Sequence, residues 1–263
     1  LRLIEEIGMF DHLSNGRMEL GVGRGVSPFE LNYHNYDPDT AREVYGEALE
    51  VLIEGMTHEK LSYSGKHFNY TDVPMELRPL QDPHPPLWYP SSNPDGSKYA
   101  GENGFHYCTL GPVEAAKTNI AAFRDAYAKR GSTAGARRPF PGGAAVGISR
   151  QVTVAETDAE ALKIAGPAYK VWHDSLTKLW RENNVEGPAF ARNTVDTVEK
   201  AIAGGAHVAG SPETVREQLA EQIEALGVNY MVIAFNIGDM AHEDALRSIT
   251  LFGEEVMPKL ADL

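Results

Sequence analysis

Met18-Glu19-Leu20-Gly21-Val22-Gly23-Arg24-Gly25 decides how this chain folds. Met18–Gly23 is a short apolar run ending in glycines, the pattern of a strand that stops at a turn. Arg24 follows at once. In an α/β sheet it therefore belongs on the rim at the strands' C-terminal ends, where such folds place their sites. Glycines there let a ligand approach the backbone, and a planar, permanently charged guanidinium suits a phosphate. The plainer reading of the same residues is a glycine turn beside a solvated arginine. The spacing is not the dinucleotide pattern G-x-G-x-x-G, because the third glycine comes one residue early, and residues 24–36 read as a loop where that pattern needs a helix.

Upstream, Leu3, Ile4, Ile7, Phe10 and Leu13 recur as one helical face, and Asn15-Gly16 supplies the stop. No capping residue precedes this helix, so Leu1 reads as a cut point within a longer chain. Downstream, Asp37-Pro38 opens a helix carrying Ala41, Val44, Tyr45, Ala48, Leu49, Leu52 and Met56. Residues 60–70 read as a hairpin and 73–90 as proline-rich irregular chain. Further strands are expected at Leu87–Tyr89, Phe105–Leu110, Ile148–Val154 and Val228–Phe235, the last apolar enough to be buried on both faces. Helices are expected between and after them: to about Asn103, from Pro112 to Gly131, from Thr157-Asp158 past Pro167, from Ser211-Pro212 to Gly227, and a last one ending at Pro258. Residues 183–210 carry no clear pattern beyond a short helix near 194–203.

Strands alternating with helices imply parallel pairing with right-handed crossovers. The expected fold is α/β, of the (β/α)8 TIM-barrel type, represented by about its last five βα units, with residues 1–263 forming a single domain that lacks its N-terminal strands. Eight units close a barrel, so three units of about 30 residues each would be absent.

Composition bounds the function. The 263 residues carry 24 Lys+Arg against 37 Asp+Glu, a net charge of −13, which argues against nucleic acid or an anionic membrane as partner. No run approaches ~18 apolar residues, so no membrane span is expected. The one cysteine, Cys108, excludes an intrachain disulfide framework and a multi-cysteine metal site, and fits a reducing, cytoplasmic setting. In a predicted strand it reads as a small buried filler.

Ser91-Ser92-Asn93-Pro94 is the second notable string. Asn93 is a plausible N-cap with Pro94 at the first helical position, and the free N–H groups of a helix start, with nearby hydroxyls, form an anion seat. Ser97 lies one turn further on. Most such caps hold no ligand; the pairing of this one with Arg24 on consecutive strands is what gives it weight. His34 and Glu30 share the loop after Arg24 and are the candidates for a catalytic base, although a surface role is the commoner fate of such residues. His84 and His106 read as loop and strand residues, and the nine histidines show no metal-type spacing. Arg137-Arg138 reads as a solvated loop or a second anion contact, and 131–147 as a candidate lid. Trp88, Tyr89, Trp172 and Trp180 are core or pocket-lining aromatics. No G-x-S-x-G, Walker A or H-E-x-x-H string is present.

The stretch from Leu13 to Gly25 resembles the signature of the bacterial luciferase-like flavin monooxygenase family. So do Pro85-Pro86-Leu87-Trp88-Tyr89 with the small-residue turn after it, Ala100–Gly104, Gly210–Val215 and Glu254–Pro258. The resemblance implies a (β/α) barrel that binds reduced FMN or, in some branches, a deazaflavin coenzyme. It implies that Arg24 contacts the flavin phosphate, that Ser92 and Asn93 supply donors to it, and that Ser97 lies near a hydroxyl position of the family. The activity implied is transfer of one oxygen atom from O2 to a small organic substrate, with a separate flavin reductase and a homodimer as expected partners. Deazaflavin-dependent hydride transfer and non-catalytic flavin binding are the alternatives.

Overall fold

The computed structural model describes residues 1–130, 143–187 and 194–261. They pack as two units, Leu1–Tyr89 and the described chain from Pro90 onward.

In the first unit, α1 (Arg2–Leu13) buries Ile4, Ile7, Gly8 and Asp11. This i, i+3, i+4, i+7 stripe is the complete one. It corrects the expected face, because Leu3, Phe10 and Leu13 are 57%, 61% and 75% exposed. Asp11 is admitted to the stripe because the Gln81 amide and side chain donate to its carboxylate at 2.8 and 2.7 Å. The helix is followed by Asn15 and Gly16, both at positive φ. After β1 (Leu20–Gly21), the expected loop contains a short helix, α2 (Pro28–Tyr33), whose first turn is capped by Ser27. Helix α3 (Ala41–Thr57) starts three residues later than expected, because Asp37–Thr40 forms a separate turn closed by the Asp39 amide on Asp37 Oδ1 at 3.0 Å. Strands β2 (Lys60–Ser64) and β3 (Asn69–Pro74) form the hairpin, antiparallel as expected. Glu47 holds its turn by accepting the Lys66, His67 and Phe68 amides at 2.9, 2.8 and 3.2 Å. Finally β4 (Leu87–Pro90) pairs with β1 in parallel, Leu20 with Leu87 and Gly21 with Trp88.

The second unit alternates as the sequence suggests. The order is α4 (Pro94–Glu102), β5 (His106–Thr109), α5 (Val113–Lys129), β6 (Val146–Val154), α6 (Asp158–Glu182), α7 (Val198–Ala203), β7 (His207–Gly210), α8 (Pro212–Leu226), β8 (Tyr230–Ala234) and α9 (His242–Leu251). A π-helical turn, Phe252–Val256, carries the last helix past the expected stop to α10 (Met257–Leu260). Strand β6 is the spine. It pairs in parallel with β5 (Tyr107 with Val146), with β8 (Gly147 with Tyr230 through Gln151 with Ala234), and beyond that with β7 (Gln151 with His207 through Val154 with Gly210). The five strands expected from sequence are present as β1, β4, β5, β6 and β8, and β7 is added. The fold is mixed α/β, built of parallel strand–helix units of the TIM-barrel type.

One layer of the core joins Val152 and Val154 of β6 to Val208, Val215, Leu219, Phe252 and Val256. A second joins Ala161, Ala165, Ala168 and Tyr169 of α6 to Val198, Ala201 and Ile237. Strand β8 corrects an expectation. Met231 and Ile233 pack on the first layer, but Tyr230 and Val232 are 39% and 45% exposed. Apolar residues occupy both faces of this strand, while only one face is covered and, among the described residues, only β6 pairs with it.

Candidate anion-binding site

The start of α4 is built as its sequence suggests. Asn93 is extended (φ −140°, ψ 153°) and its side chain accepts the Gly96 amide at 2.9 Å, with Pro94 in the first turn where its missing N–H costs nothing. The Ser91 amide donates to Cys108 O of β5 at 3.0 Å, and Ser91 Oγ accepts the Asn93 amide at 3.3 Å. Gly96 leaves room for this packing, since a Cβ there would collide with Ser91 Oγ. The Ser92 amide and hydroxyl and the Asp95 amide make no hydrogen bond among the described residues. They are free donors at a helix N-terminus, the arrangement that accepts an anion. The Asp95 carboxylate, in the same turn and exposed, is the one acidic group within it.

Ser97 is fully buried. Its hydroxyl lies 2.7 Å from Asn93 O and 2.7 Å from the Tyr107 hydroxyl, which in turn lies 2.9 Å from Ser91 O. Ser97 thus holds the turn from below. Tyr107 was not singled out by sequence: it reads as one more apolar strand residue, and its partner Ser91 lies sixteen positions away.

Arg24, in the first unit, follows β1 on the exposed segment before α2, and makes no ion pair or hydrogen bond among the described residues. A Cβ at Gly21, Gly23 or Gly25 would meet nothing within 4 Å, so the backbone beside Arg24 is open to approach. Glu30 sits in the first turn of α2 and His34 at its C-cap, both exposed. Arg24, Glu30 and His34 belong to one unit and Ser92, Asn93 and Ser97 to the other.

Other sequence candidates resolve individually. Cys108, expected as a buried filler, is only half-buried; burial still pushes its thiol up to about 11, so it is no thiolate at neutral pH. Trp172 and Tyr169 pack in the α6 core layer, and Trp180 is buried. Trp88 donates from Nε1 to Glu19 Oε2 at 2.5 Å, and Tyr89 lies 6.3 Å from Tyr45, ring to ring. His106 Nδ1 accepts the Ala145 amide at 3.0 Å. Of the candidate lid, 131–142 lies outside the described residues, as do Arg137 and Arg138. Its remainder, 143–147, leads into β6 from an exposed Gly143 through Ala144 and Ala145, which are 3% and 0% exposed. Glu43, Glu47 and His67 bring three possible metal-ligand atoms within 4.8 Å. Lys66 Nζ already sits on Glu43 at 2.9 Å and three amides on Glu47, which explains the group as an ion-pair cluster that anchors the hairpin.

Folds of parallel strand–helix units place their ligand sites at the turns that follow the strands' C-terminal ends. The family model described as luciferase-like monooxygenase matches residues 1–230, and the chain belongs to that family. An uncharacterized protein of Sinorhizobium fredii, y4wF, is 35% identical over 260 residues, which cover 99% of this chain and 73% of that one. Among solved structures, the monooxygenase RslO1 of Streptomyces bottropensis superposes with a TM-score of 0.79 at 22% identity, over 98% of this chain and 73% of that chain. The oxygenating constituent of 3,6-diketocamphane monooxygenase of Pseudomonas putida, solved in complex with FMN, superposes at 0.71 with 21% identity, over 98% and 76%. The coenzyme F420-dependent tetrahydromethanopterin reductase of Methanopyrus kandleri superposes at 0.66 with 17% identity, over 98% and 78%. No helix among the described residues is long and apolar enough to cross a membrane.

Proposed function

We propose that this protein is a flavin-dependent monooxygenase that uses reduced FMN and O2 to oxygenate a small organic substrate, within a single luciferase-like barrel domain. The observation that carries the reading is the turn at Ser92–Asp95, whose free donors fit a phosphate, in a chain of a monooxygenase family. FMN, when bound, supplies the redox chemistry and the reaction with oxygen. The chain's own residues bind and orient. Ser92 donates from its amide and hydroxyl to the phosphate. Asn93 fixes the turn through Gly96, and Ser97 holds it from the buried side. Arg24, whose guanidinium has no partner among the described residues, neutralises the phosphate charge. Glu30 and His34 are the groups near Arg24 in sequence that are able to move a proton. Reduced flavin comes from a separate reductase, and the working form is a cytoplasmic homodimer.

The F420-dependent structural neighbour favours one second reading, hydride transfer with a deazaflavin. Oxygen uptake with reduced FMN, a flavin reductase and a substrate panel separates the two. Uptake coupled to an oxygenated product is expected. Turnover with reduced deazaflavin alone would replace the monooxygenase reading, and tight flavin binding without any turnover would overturn both.

A further inference from the structure

Tyr107 is 0% exposed and its ring stacks on Phe123 of α5, with centroids 4.8 Å apart, which fixes the phenol in one direction. That direction points its hydroxyl under the Ser91–Asn93 turn. The hydroxyl lies 2.9 Å from Ser91 O and 2.7 Å from Ser97 Oγ, and Ser97 Oγ lies 2.7 Å from Asn93 O. Two hydroxyl protons are shared among these three contacts. Asn93 O also takes the Ser97 amide and the Ser91 hydroxyl, each at 3.1 Å, so the proton that reaches Ser91 O is the one on Tyr107. Among the described residues, Ser91 O has no donor other than Tyr107. Burial pushes the Tyr107 phenol up from its ordinary value, so it stays protonated and remains a donor through neutral pH.

The consequence is directional. A peptide unit has its N–H and C=O antiparallel. Drawing the Ser91 carbonyl inward therefore turns the next amide, that of Ser92, outward, which is the free donor of the turn. We propose that Tyr107 is the positioning residue of the phosphate seat: its buried hydroxyl holds the Ser91 carbonyl inward and so presents the Ser92 amide to the anion. This rests on the reading of the turn as that seat. Tyr107 touches no ligand itself, and it acts on the part of the cofactor that FMN has and riboflavin lacks.

The test uses the full chain with FMN and riboflavin as probes. Affinities are read by quenching of flavin fluorescence, and the phosphate environment by the 31P shift of bound FMN. In Tyr107→Phe, which keeps the ring stack, FMN binding is expected to weaken roughly fivefold while riboflavin is unchanged. The 31P shift should move toward that of free FMN. Ser97→Ala, which removes the other half of the relay, should act in the same sense and serves if Tyr107→Phe does not fold. An unchanged FMN-to-riboflavin ratio, or equal losses for both, would overturn the positioning role. A wild-type chain that binds the two flavins equally would instead remove the phosphate seat itself, and that result needs no variant.

Discussion

Asn93 Oδ1 accepts the Gly96 amide at 2.9 Å, so the residue that caps α4 also spends one of the helix's free donors on itself. Ser92 and Asp95 keep donors that have no partner among the described residues. Capping and ligand access are therefore set by the same side chain, which can be separated by substitution. Asn93→Ala should cost about 1 kcal/mol of stability in urea unfolding, the usual worth of such a cap. Asn93→Asp should keep that stability and still weaken FMN, because a carboxylate beside the phosphate repels it. Full FMN affinity in Asn93→Asp would show that the phosphate is not there.

Arg24 is the cation proposed to meet the flavin phosphate. Arg24→Ala should weaken FMN by about 1.5–3 kcal/mol, the value of a charge-assisted contact, and leave riboflavin nearly untouched. Titration of both flavins against both proteins measures it. Equal losses would take Arg24 away from the phosphate.

His207 predicts how stability responds to acid. It is fully buried between Thr153 and Gln151, with ring nitrogens 3.3 Å from each, and burial depresses its pKa from 6.5 to about 4. The unfolded chain then takes up a proton at a pH where the folded one does not. The stability contribution is whole above about pH 6.5 and is lost as pH falls toward 4. Between pH 7 and pH 5 the loss from this group should be about 2 kcal/mol. Urea midpoints across that range should fall steeply in the wild type and less steeply in His207→Gln; parallel slopes would contradict the assignment.

Gly101 is where α4 meets α5 most closely. A Cβ there would lie 2.9 Å from Ala126 Cβ and 2.9 Å from the Tyr127 nitrogen, and would collide with the Phe123 carbonyl. Two of these are backbone atoms that cannot swing aside. Gly101→Ala should therefore cost about 1–3 kcal/mol, read by thermal or urea unfolding, and should disturb the turn at the other end of α4.

What the sequence revealed followed local chemistry. The Asn93-Pro94 cap, the Ser211-Pro212 cap and the Gly227 stop were all readable, because each is a short-range preference that the structure obeys, Gly227 with φ 59°. Ser27-Pro28 carries the same signal, but the six residues of α2 bury none of their side chains, so no helical period separates it from loop. Strand β7 was missed because four residues, His207–Gly210, give too little alternation to stand out beside a glycine-rich approach. The face of α1 was misjudged because its buried stripe includes Asp11, which only its partner Gln81, seventy residues on, makes tolerable. Tyr107 was invisible for the same reason: its role lies in a contact, not in a pattern.

The half-covered β8 carries a practical consequence. Its outer face presents Tyr230 and Val232 to water beside an edge with no second strand among the described residues. Such an edge is a template for another extended segment. In concentrated solution this chain should self-associate through β8, and a gatekeeper lysine at Val232 should improve its colloidal behaviour without touching the Ser91–Asn93 turn.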